Sequence, residues 1–327
     1  MYLAPLNYDR FFKKVFSEIS IAKRFLEDFF DIDIEEIEPL ATKHKITDNA
    51  TAVEFDFRCK IKANYIIIDM QQWFKTDIIK RFYAYHSLNT VLQLEKMPDK
   101  SLPIDDRKQS EIKDYDLILP VITLIWLADD SLGFKDDFVS YTMTSETVNE
   151  FIKNKSVWRE DNILEILEER EKCLEILNNK TKKLDFLQEN KLIYAFQQNI
   201  VKNQKLTKYL QWFEFAEKTS DKKNEKSWFE PYMNDDVFVN IASRINTDIF
   251  ESTDWQYIED YDKFSEQLQR HNNTIRREGV EIGVEIGVGI GIKKEKVQIA
   301  KNMKTLGVDY NIISQATGLS IKEIENL

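Results

Sequence analysis

The sequence predicts an α/β protein, with a mixed-sheet core over residues 1 to about 143 and a mainly helical C-terminal half. Three observations carry that prediction. Residues 53–61 alternate apolar and polar without a fault, residues 65–74 form a second β-like segment, and after residue 144 the apolar spacing becomes helical.

In the first segment Val53, Phe55, Phe57, Cys59 and Ile61 are apolar, while Glu54, Asp56, Arg58 and Lys60 are polar. That is the period of a half-buried strand. In the second, Ile66, Ile68 and Met70 face one way and Asp69 and Gln71 the other. The short link Lys62-Ala63-Asn64 makes the two an antiparallel hairpin. If the apolar faces share one core, the numbers of paired residues must sum to an odd value, because a slip of one residue turns every side chain over. The sum 127 fits the short link and sets Asp56 opposite Gln71 and Arg58 opposite Asp69. Asp56, Asp69 and Gln71 then gather on one face, close enough to share a cation.

Taken alone, such a polar face reads most simply as a solvated surface with Arg58 and Asp69 as a cross-strand ion pair. Ile66-Ile67-Ile68 shifts the balance. It is apolar on both faces, as in a central strand covered by helices. Carboxylates on such a strand are buried, and a metal or a charged partner usually answers them.

The remaining elements follow in order. Tyr8 to Asp28 has the spacing of an amphipathic helix, with Asp9 near its N-terminus, where the helix dipole favours an acid. Thr76 to Leu94 reads as a helix that places Arg81 and Tyr85 four apart on one face. Leu117 to Leu127 reads as a buried strand and Phe138 to Met143 as a shorter one. From Thr144 to Arg270 the chain is helical and polar; Trp212, Phe213, Phe215, Trp228 and Phe229 fill a helical core or stack bases. Glycines 279, 283, 287 and 291 recur every four residues, and two short helices follow, stopped by Gly307 and Gly318, before a capping box at Ser320 and Glu323. The expected division is therefore 1–143, 144–275 and 276–327, the last piece similar to a helix-turn-helix.

Composition narrows the classes. With 43% hydrophobic and 31% charged residues the chain is expected to be soluble and globular. No run approaches the roughly 20 apolar residues of a membrane span. The opening stretch, with Asp9, Glu18, Glu27 and Asp28, does not read as a secretory leader, so cytoplasmic residence is expected. Cys59 and Cys173 are too few for a disulfide framework, and His44, His86 and His271 lack zinc-type spacing. A net charge of −11 argues against a simple nucleic-acid binder. Local basic strips remain, at Lys13, Lys14, Lys23 and Arg24 and at Lys75, Lys80 and Arg81.

Asp9 to Phe16, Asp56, Ile68 to Gln71, Arg81 to Tyr85 and Pro120 to Trp126 occur in an order and spacing that resemble one family. It is the Rpn family of recombination-promoting nucleases and transposase-like proteins, within the PD-(D/E)XK nuclease superfamily. The similarity covers roughly the first 135 residues and returns near the C-terminus. The resemblance implies a restriction-endonuclease-like core and Mg2+- or Mn2+-dependent endonucleolytic cleavage of DNA, linked to recombination or transposition. Asp56 and Asp69 would be the metal ligands and Gln71 would orient water, with Asp9, Lys13, Arg81 and Tyr85 as auxiliary groups. Hard divalent cations take such carboxylates and fill the remaining positions with water and phosphate oxygens. Two positions depart from the commoner family pattern: Asp69 stands for glutamate and Gln71 for lysine, and a glutamine cannot take a proton at neutral pH. DNA is the expected partner, no membrane is expected, and a homodimer that cuts both strands is compatible with the motif. The alternative is a catalytically degenerate nuclease fold that serves as a DNA-binding or protein-interaction module.

Overall fold

A computed structural model describes residues 1–45, 52–73, 75, 77–105, 108–156, 158, 163–178 and 183–327. The chain opens with α1 (Asp9–Phe16) and α2 (Ile19–Phe30), then β1 (Glu38–Pro39), β2 (Lys43–His44), β3 (Val53–Glu54), β4 (Phe57–Ile61), β5 (Asn64–Gln71) and α3 (Ile78–Leu92). A separate ribbon of β6 (Asp99–Asp105) and β7 (Lys108–Lys113) precedes β8 (Val121–Leu127), β9 (Phe138–Tyr141), α4 (Glu146–Lys153), α5 (Ile163–Leu177), α6 (Asp185–Glu189) and β10 (Lys191–Phe196). Helices complete the chain: α7 (Gln197–Asn203), α8 (Leu210–Ser220), α9 (Asp236–Ile245), α10 (Ser252–Thr305), α11 (Tyr310–Thr317) and α12 (Ile321–Glu325).

Six strands form one mixed sheet in the order β1-β4-β5-β8-β10-β9. The β4–β5 and β10–β9 pairs are antiparallel, whereas β5, β8 and β10 run parallel. The α/β class and the mixed sheet agree with the sequence. As the run Ile66-Ile67-Ile68 requires, β5 is central and both its faces are covered. On one face Trp126 of β8 meets the rings of Phe12, Phe16, Phe25 and Phe213. On the other, Ile78 and Phe82 of α3 pack with Ile125, Leu127, Tyr194 and Phe196.

Several expected elements are corrected. The strand over 53–61 breaks at Phe55 and Asp56 into β3 and β4. Phe55 donates its backbone N–H to Thr42 O and turns its ring under α3, against Ile67, Leu92 and Tyr85, away from the face of Phe57. The helix over 8–28 is two helices. Ser17 closes α1 with its hydroxyl on Lys14 O, and Glu18, in an extended conformation, opens α2. The strand expected from Leu117 starts at Val121, because Pro120 has no N–H to give a ladder and a turn occupies Tyr115–Leu117. The second β-like segment ends at Gln71 and the helix after it starts at Ile78; Phe74 and Thr76, expected in these two elements, lie outside the described residues.

The boundary at residue 143 is also corrected. The region read as wholly helical contributes β10, which lies between β8 and β9 and pairs with both. Its six residues, buried on both faces near the end, show no alternation that would mark them as a strand. The chain divides instead into two compact units, Met1–Ile249 and Phe250–Leu327. Within the second unit α10 runs through the glycine repeat as one 54-residue helix. Gly307 and Gly318 hold the left-handed conformation that ends α10 and α11, and the Ser320–Glu323 capping box is formed. Among the described residues no helix is long and apolar enough to cross a membrane.

Because β10 supplies the partner of both β8 and β9, a chain ending at residue 249 should melt cooperatively, whereas one ending at 143 should not. Circular dichroism melts of the two truncations check this; cooperative melting of the shorter chain would count against β10 as a member of the core.

Candidate functional site

The hairpin turn is the two-residue Lys62-Ala63, with Ile61 paired to Asn64 and Phe57 to Ile68. The parity of the expected register holds, but with the turn at Lys62-Ala63 the sum is 125 and not 127. Asp56 therefore meets Asp69 and not Gln71, and Arg58 lies opposite Ile67 and not Asp69. The two carboxylates are linked through the backbone. Met70 N–H donates to Asp56 Oδ2 at 2.8 Å, and Asp56 N–H donates to Asp69 Oδ1 at 3.4 Å. The bend at Asp56 frees its own N–H for this exchange. Asp69 Oδ2 is buried and accepts no hydrogen bond among the described residues.

Each auxiliary group has a definite place. Lys13 of α1 sets its Nζ 3.1 Å from Asp9, 3.2 Å from Glu54 and 3.5 Å from Asp56. Lys43 of β2 pairs with Glu54 from the other side at 3.3 Å. From α3, the Arg81 guanidinium donates to Gln71 Oε1, while Gln71 Nε2 donates to Trp73 O at 2.9 Å. Both ends of the Gln71 amide are thus engaged. Tyr85 stands edge-on to Phe55 and 5.9 Å from the Arg81 guanidinium. Arg58 points its guanidinium at Asn89 Oδ1, Ala41 O and the His44 ring, and the expected ion pair with Asp69 is not formed.

Electrostatics at the site follow from burial. Desolvation, and then the negative charge of Asp9, raise the pKa of Asp56 from 3.8 to about 7, against the opposing pull of Met70 N–H and Lys13. Asp69 is raised well above the carboxylate range by burial and by Asp56. For Lys13 burial disfavours the charge, but Asp56, Asp9 and Glu54 outweigh it and hold the ammonium protonated. Glu54 meets the same penalty, and Lys13 and Lys43 overcome it to keep its carboxylate ionised.

Asp56 and Asp69 fit a divalent cation in one respect: a buried carboxylate oxygen with no donor is what a cation would answer. Among the described residues no group of three or more Asp, Glu, His or Cys is arranged as a metal cluster. A metal here would rest on two carboxylates and complete its shell with water or substrate oxygens, the habit of magnesium. An apolar groove of about 530 Å³, lined by Ile79, Tyr83, His86, Tyr141, Met143 and Tyr194 among others, holds neither carboxylate.

Reading the sequence had missed Glu54 and Lys43 as site groups and the role of Lys13 as a hub. The i, i+4 spacing of Asp9 and Lys13 was the available signal. Nor does the sequence mark Asp129, whose N–H donates to Gln72 O at the same end of the sheet and whose pKa is raised to about 6 by burial and then by Glu217 and Asp130. Compared with protein-family models, with characterised proteins and with solved structures, the chain shows no match.

Two outcomes follow from these contacts. The folded protein keeps a proton on Asp56 that the unfolded chain has lost between pH 3.8 and about 7, so this group makes stability fall as pH rises through that window. Asp56→Asn keeps an acceptor for Met70 N–H. It should melt at a higher temperature than wild type above that window, with the gap closing toward its lower end; parallel melts across the range would contradict this. Gln71→Lys should destabilise by about 1–3 kcal/mol in chemical denaturation, because Arg81 loses its buried acceptor and meets a like charge. An unchanged midpoint would show that Arg81 finds another acceptor.

Proposed function

We propose that this chain is a metal-dependent endonuclease that hydrolyses phosphodiester bonds in DNA, with Asp56 and Asp69 as the ligands of a magnesium or manganese ion. The observation that carries this reading is the buried pair of carboxylates, joined through the backbone and leaving Asp69 Oδ2 without a donor among the described residues. A helix-covered fold would not keep two such groups adjacent for stability, since replacing them by neutral residues removes a desolvation cost.

A bound divalent ion supplies Lewis-acid polarisation of the phosphoryl oxygen and lowers the pKa of water. The chain's own groups do the rest. Asp56 and Asp69 must give up their protons to bind, so occupancy weakens as pH falls through the raised carboxylate range. Arg81 and Trp73 hold Gln71 and thereby the end of β5 that carries Asp69. Asp9 and Glu54, both partly exposed, fix Lys13 at the margin of the site. DNA as the substrate, and a link to recombination or transposition, rest on the family resemblance.

A second reading is favoured by two contacts. Gln71 is fully engaged, and Lys13 already gives Asp56 a cation. On this reading the fold is a degenerate nuclease that serves as a DNA-binding or protein-interaction module. Plasmid nicking in magnesium separates the two. Wild-type protein should cut and Asp69→Ala should not, while both melt cooperatively; equal cutting by the two, after removal of contaminating nucleases, would overturn the site assignment.

A further inference from the structure

Phosphoryl transfer builds negative charge on the phosphoryl oxygens, and a site that holds one metal ion on two carboxylates gains from a second positive group. Position 71 supplies none. Its amide is neutral, and the Arg81 guanidinium is committed to it. The ammonium that reaches Asp56 comes from another element, α1.

Lys13 is built to stay where it is. Asp9 and Glu54 hold its Nζ at 3.1 and 3.2 Å, closer than the 3.5 Å to Asp56. The Lys13 side chain is 29% exposed and its two nearer partners are 51% and 38% exposed, while the Asp56 side chain is 5% exposed. The ammonium thus bridges the buried pair and the protein surface. A divalent ion on Asp56 would repel it from the longest of its three contacts and leave the two shorter ones in place.

We infer that Lys13 is the phosphate-binding cation of this site, ceding Asp56 to the metal and turning its ammonium on the scissile phosphate while Asp9 and Glu54 keep it at the margin. The inference rests on the nuclease reading above. In the hydrolysis, the oxygen of water bonds to phosphorus as the bond to the leaving oxygen breaks; water gives up one proton and the leaving oxygen takes one up. Lys13 remains protonated throughout and contributes charge alone.

The test uses the full chain with Lys13→Met and Lys13→Arg, read by thermal melting, by Mn2+ titration calorimetry without DNA, and by single-turnover cleavage. K13M should fold, bind Mn2+ as tightly as wild type or several-fold more tightly, and cut about 10²-fold more slowly. K13R, which keeps the charge, should retain cleavage within about tenfold. Weaker Mn2+ binding by K13M would mean that Lys13 only anchors α1, and cleavage at the wild-type rate would mean that it does not face the phosphate. Either result overturns the inference and leaves the nuclease reading standing. If K13M does not fold, K13R decides, and cleavage as low as that of Asp69→Ala would overturn the inference. A wild type that neither binds Mn2+ nor cuts, beside a K13M that gains Mn2+, would make Lys13 a permanent substitute for the metal and overturn both.

Discussion

Two hydrogen bonds across the bend between β3 and β4 hold the candidate site together. Met70 N–H reaches Asp56 and Asp56 N–H reaches Asp69, so each carboxylate is positioned by the backbone of the strand opposite. This exchange needs Asp56 to lie off the regular ladder, and Phe55 secures that by burying its ring beneath α3. An apolar side chain on the unexpected face therefore positions the polar group next to it. Lys13, Arg81 and Gln71 act on a geometry already set by the hairpin.

Charge around the pair is graded from the inside outward. Among the described residues Asp69 has no cation in contact, Asp56 has one at the edge of contact range, and Glu54 has two. Ionisation divides the same way: burial pushes the two inner carboxylates toward the neutral form, while the outer one, Glu54, is held ionised by its lysines. Such a gradient leaves the ammonium groups nearer solvent than the inner pair.

Much of this was legible from residue order. The alternation on the hairpin, the two-sided apolar run before Asp69 and the glycine stops at 307 and 318 report local requirements, and local requirements are written in short stretches of chain. Asp56 and Asp69 could be placed on one face because side chains in strands have a period of two. Their register could not, because parity admits both 125 and 127 and only the position of the turn chooses between them. Lys13 beside Asp56 and the engagement of Gln71 by Arg81 were hidden for another reason. Each joins elements whose approach is set by the packing of whole layers. The strand Lys191–Phe196 was missed because a short segment buried on both faces carries no period of its own.

That strand also shapes how the molecule must come into being. Translation at ~5–20 residues per second separates the appearance of Leu127 from that of Phe196 by roughly 3–14 s. Throughout that interval the β8 edge, with Leu124, Ile125 and Trp126, has no neighbour on the side where β10 will lie. An unpaired apolar strand is a template for pairing with other chains. The nascent protein thus passes through a window of aggregation risk that the finished fold does not reveal, and its length is set by the stretch of chain encoded between the two strands.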